Sequence, residues 1–106
     1  MDRARFEKIM SKITEAATDH GLLIEAGFTG FQKAVLPATA SQLQIDMQRM
    51  AFFAGALHLF TSIMNVLDPG GEPTEKDLLR MSQIACELER FGAQFTAKYT
   101  PTKGNA

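Results

Sequence analysis

Eighteen consecutive residues, 50–67, contain no Asp, Glu, Lys or Arg. Whatever this chain folds into has to cover that stretch. The flanking pattern makes it part of a helix running from about 42 to 67, with Ser41 as N-cap. One stripe of this helix is Leu43, Met47, Met50, Ala54, Leu57, Thr61 and Met64, with Phe53, Phe60 and Leu67 beside it. From residue 52 the far face is apolar too, with Phe52, Leu59, Ile63 and Val66. A helix that is apolar all round must be covered all round. The length is at the lower limit for a membrane span, and His58, Thr61, Ser62 and Asn65 interrupt it, so a buried soluble helix is the expectation. Ala51, Ala54, Gly55 and Ala56 form a patch with almost no side chain, where a second backbone can come close. Coverage then predicts a homo-oligomer, at least a dimer, with Phe52, Gly55, Leu59, Ile63 and Val66 in the interface. The competing reading is that the first two segments of the chain wrap this helix completely.

Proline and glycine mark off the other segments. Residues 3–19 place Phe6, Ile9, Met10, Ile13, Ala16 and Ala17 at helical spacing, and His20-Gly21 is a plausible stop. Residues 22–36 carry Leu22, Leu23, Ile24, Phe28, Phe31, Val35 and Leu36 at the same spacing, with Gly27 and Gly30 inside and Pro37 as terminator. Either those glycines permit a close helix crossing, or the first two segments are one long helix bent near Gly21. The loop 68–73 is Asp-Pro-Gly-Gly-Glu-Pro, after which Thr74 caps a last helix and Asp77 returns a bond to the cap nitrogen. Its stripe is Leu78, Met81, Ile84, Ala85, Leu88, Phe91 and Phe95.

No segment alternates at period two for long enough to be a strand. The expected fold is all-α with three to four helices, the long central helix packed antiparallel with the C-terminal one across the short loop. Leu57, Phe60, Met81, Ile84 and Leu88 are the expected core of that hairpin. The organisation reads as one helical domain, 1–99, and a frayed tail, 100–106. The charged start has no secretory pattern and no lipidation motif is present, so the expected location is the cytoplasm.

Composition excludes several classes. With 45% hydrophobic residues the chain has material for a core, so it is not a disordered protein. A lone cysteine, Cys86, cannot form a disulfide framework. Eleven basic against twelve acidic side chains do not suit a DNA-coating protein, and the central helix is too apolar to lie in a groove, so no DNA partner is expected.

Candidate chemistry is sparse. His20, His58 and Cys86 lie in three segments without metal-ligand spacing, so no metal and no cofactor are expected. Cys86 reads as a small core residue, and Glu87 and Glu89 sit two apart on a helix, where they do not face each other. Gly27-Phe28-Thr29-Gly30 lacks the spacing of a phosphate loop. With no catalytic constellation, the chain is expected not to be an enzyme. Basic residues beside apolar faces are Lys33, Arg49, Arg80 and Arg90. Arg49 is the first choice for an anionic ligand, because it sits one turn before Phe52 and Phe53 and guanidinium beside aromatic rings suits phosphate and base recognition. Lys33 and His58 complete the candidate ligand set, His58 as a polar group inside the apolar run 56–60.

The run Gln42-Leu43-x-x-x-Met47-x-Arg49-x-Ala51-Phe52-Phe53-Ala54-Gly55-Ala56-x-His58-Leu59-Phe60 resembles a small, mostly unannotated family encoded by phages and prophages of proteobacteria. The later Leu67-Asp68-Pro69-Gly70-x-Glu72-Pro73-Thr74-Glu75-x-Asp77-Leu78-x-Arg80-Met81 and the earlier Leu23-Ile24-Glu25-Ala26-Gly27 are similar to the same family. The resemblance implies a phage accessory protein, many of which counter host defence, and the host cytoplasm as its setting. It assigns no site residues. By analogy of design with small helical phage sponge proteins, the homo-oligomer would sequester a cyclic nucleotide. The alternative is an inhibitor or adaptor that blocks a host defence protein with its helical surface.

Overall fold

The structure, a computed structural model, describes residues 2–99. These form four helices, α1 (Arg3–Asp19), α2 (Leu23–Val35), α3 (Gln42–Val66) and α4 (Glu75–Tyr99), with no strand among them. The all-α expectation holds at that level. The tail expected at 100–106 lies outside the described residues. The chain divides into two units, Met1–Phe60 and Thr61–Ala106.

In the first unit, Asp2 caps α1 by accepting the Arg5 backbone N–H at 2.8 Å. The helix ends in a Schellman motif. Gly21, at φ +72°, donates to the Thr18 carbonyl, and Leu22 donates to the Ala17 carbonyl at 2.8 Å. Segments one and two are therefore two helices, separated where a left-handed residue is needed and glycine supplies it. α2 stops at Leu36, which is extended (φ −81°, ψ 139°) as the residue before Pro37 must be. Ser41 then opens α3 with a capping box. Its hydroxyl accepts the Gln44 N–H at 3.1 Å, and the Gln44 side-chain carbonyl accepts the Ser41 N–H at 2.8 Å.

α2 and α3 meet through aromatic rings. Phe52 packs on Phe28 and Phe31, with ring centroids 5.6 and 5.7 Å away, and Phe28 is buried. Gly27 makes this approach possible, since a Cβ there would stand 3.2 Å from the Phe52 ring. Gly30 faces open space, so only the first of the two glycines serves a crossing.

In the second unit, the polar groups around the start of α4 form a closed knot. Thr74 and Asp77 make the expected reciprocal cap, each side chain accepting the other's backbone N–H at 3.1 Å. Asp77 also accepts the Asp68 N–H at 2.8 Å, and the Thr74 hydroxyl donates to the Asp68 carboxylate at 2.7 Å. Arg80 donates to the Val66 carbonyl, the last residue of α3, and lies 3.5 Å from Asp68. Asp77 is buried with all of these partners in place.

The expected core is not where periodicity put it. Leu57, Phe60, Met81 and Leu88 are exposed, Leu57 at 63% and Leu88 at 60%, and Ile84 is half-buried. On α3 the residues with reduced exposure are Ile45, Arg49, Phe52, Phe53, Ala56, Ser62 and Ile63, a different face from the Leu43–Met50–Leu57 stripe. The physical reason is that α3 has no polar side to orient it. Once Phe52 is drawn into the gap above Gly27, the opposite stripe turns outward. Phe28 is the only buried hydrophobic residue among those described.

Candidate functional site

A tertiary ion pair of the first unit centres on Arg49. Glu25, in the first turn of α2, and Arg49, in the second turn of α3, face each other across the crossing that Gly27 permits. The guanidinium engages both carboxylate oxygens, Nη1 to Oε1 and Nη2 to Oε2, each at 2.5 Å. Its carbon lies 4.8 Å from the centroid of Phe53 and 5.8 Å from that of Phe28. Fork-to-fork bonding and ring contact are what arginine offers and lysine does not. The hydrogen bond from Arg49 holds the Glu25 carboxyl below its ordinary range, and the same bond raises the guanidinium further, helped by the nearby Asp46 charge.

The aromatic setting expected for Arg49 is thus present, with Phe28 in the place foreseen for Phe52. The vacancy that an anion needs is not. Glu25 occupies the fork and Asp46 adds a second negative charge, so a phosphate arriving here would have to displace one carboxylate against the field of another. The adjoining hollow, about 240 Å³, is lined by Asp46, Arg49, Met50 and Phe53.

The other two candidate ligand residues do not join this site. Lys33 is exposed and lines a separate hollow of about 410 Å³ with Thr29, Gln32, Pro37 and Ile45. His58 lies nine residues beyond Arg49 on the same helix, which turns it to roughly the opposite face at ~100° per residue. His58 is exposed and lines neither hollow. No protein-family model matches the chain, and no curated protein and no solved structure matches it either. Among the described residues no three His, Cys, Asp or Glu side chains are grouped so as to hold a metal ion. Nor is any helix long and apolar enough to cross a membrane.

The residues named for an oligomer interface divide. Phe52 is spent inside its own unit on Phe28, Phe31 and Gly27. Ile63 is half-buried. Gly55, Leu59 and Val66 are exposed, the last two only marginally. The most open apolar surface of α3 lies elsewhere, on Leu43, Met47, Met50, Leu57, Phe60 and Met64. Of these, Leu57 and Phe60 were expected inside, in the core of the α3–α4 hairpin. Glu25, which decides the electrostatics at Arg49, was missed altogether. It lies 24 residues away, and no local pattern points to it.

Proposed function

We propose that the protein is a non-enzymatic, homo-oligomeric helical protein that acts by binding, in the setting of a phage accessory gene product that counters host defence. The observation that carries the binding and assembly part is the apolar surface. α1, α3 and α4 each expose large hydrophobic side chains along a stripe, including Phe6 and Ile13, Leu43 and Leu57, and Leu88 and Phe91. Patches of that kind mark interfaces rather than solvent-facing protein. The host-defence part rests on the resemblance of the 42–60 and 67–81 runs to phage-encoded proteins.

Of the two modes of action, blocking a host protein through the assembled helical surface is the better supported. The Arg49 fork is already filled by Glu25, which removes the strongest anion contact that a cyclic nucleotide would use. Native mass spectrometry of the purified protein tests both parts at once. The expected spectrum is a homo-oligomer carrying no nucleotide. An oligomer that retains a cyclic nucleotide would move the function to sequestration of that signal, and a bare monomer would remove the assembly on which either mode rests.

A further inference from the structure

Building on that homo-oligomeric reading, we infer that α1 pairs with α1 of a second copy, running antiparallel, with Arg5 of each chain against Asp19 of the other. The seam is Phe6, Ile9, Ile13 and Ala16, spaced three, four and three, the repeat that keeps one helix face on a partner helix. Phe6, Ile9 and Ile13 are exposed, at 53%, 38% and 54%, and so is Ala16. Ala17, the one half-buried residue of α1, lies on the edge of this face in line with Met10. Its own unit thus leaves the apolar face of α1 exposed.

The charges say what fits against it. Arg5, Lys12 and Asp19 follow at seven-residue spacing along the other edge of the face. They run in the sense that the dipole of α1 disfavours. The first turn holds Arg3 and Arg5 and no acid, and the last turn holds Asp19 and no base. Glu7 offsets Arg3 at 2.9 Å within the helix. An antiparallel copy relieves both ends, because it brings Asp19 to the basic first turn and Arg5 to the acidic last one. A parallel copy would set like ends together. An anionic lipid surface would attract the basic end and repel the end that carries Glu15 and Asp19. The order of side-chain sizes agrees with the antiparallel copy. Phe6 then lies over Ala16 of the second copy and Ile9 against its Ile13, each twice by symmetry, so that large faces small at the ends and the layers between are filled. In a parallel pair Ala16 would face Ala16 across a gap. Lys12 meets its equivalent near the two-fold axis, where its long stem carries the ammonium out to water.

The test is charge reversal, read as the concentration at which the oligomer dissociates in light scattering. Arg5→Asp sets Asp against Asp at both ends of the seam and is expected to raise that concentration about tenfold. The same change puts an acid into the first turn of α1, which its dipole favours, so weaker pairing would not come from a melted helix. The double variant Arg5→Asp/Asp19→Arg restores opposite charges across the seam and is expected to recover the wild-type value. An oligomer indifferent to Arg5→Asp, or a double variant as weak as the single one, would overturn this seam while leaving the oligomeric reading intact. A wild-type monomer would overturn both.

Discussion

Thr74 and Asp77 show how much of this chain is settled by single side chains. Replacing Thr74 with Ala removes the acceptor for the Asp77 N–H and the donor to Asp68, and is expected to cost about 1 kcal/mol in chemical denaturation. Asp77 gives a pH signature. The Asp68 and Thr74 backbone N–H groups, in that order, hold its carboxyl below the usual range. A carboxyl lowered on folding stabilises fully above its unfolded value near ~4 and loses that contribution as pH falls through the folded value. Stability should therefore drop on acidification below about pH 4, and Asp77→Asn should drop less over the same window. Equal acid dependence in the two proteins would show that Asp77 is not the linked group. These caps were legible in the sequence because a cap is local: Ser41, Thr74, Gly21 and Pro37 carry their meaning within four residues. Arg49 was half legible, since the Phe53 ring is near in sequence while the Phe28 ring and the Glu25 carboxylate are not. Calorimetry with cyclic di- and trinucleotides should show no binding that depends on Arg49. Tight binding lost in Arg49→Ala would mean that Glu25 yields its place.

Between the elements, the α2–α3 crossing is set by Gly27, the one of the two α2 glycines with a neighbour opposite it. Gly30→Ala adds a methyl to open space and should stabilise α2 by about 0.5–1 kcal/mol, the usual gain for Ala over Gly in a helix. Gly27→Ala has the same propensity gain but crowds the Phe52 ring at 3.2 Å, so it should stabilise less or destabilise. Equal gains at both positions, measured by denaturation, would show that the crossing is loose. The sequence offered the close-crossing reading for both glycines and had no means of choosing between them, because both sit at interior helix positions and differ only in what lies opposite. The same limit explains the face of α3. Periodicity located the helix and its end residues, but an all-round apolar helix gives no orientation. The ring of Phe52 and the gap at Gly27 supplied it.

For the molecule as a whole, the sequence and the structure agree on the problem and differ on where it lies. Coverage of an apolar central helix predicted assembly through Phe52 and its neighbours, with Leu57 and Phe60 as core. In the structure Phe52 is used internally, and Leu57 and Phe60 are exposed. Three of the four helices carry a side-chain N-cap, from Asp2, Ser41 and Thr74, while Phe28 is the only buried hydrophobic among the described residues. Covering exposed apolar side chains is what a second copy would contribute, and obligate homodimers gain their stability in this way. The most direct measurement is the mass in solution by light scattering over a range of protein concentrations. The expected mass is at least twice 11.7 kDa and persists on dilution into the low micromolar range. A mass of 11.7 kDa that stays unchanged as the protein is concentrated would contradict it.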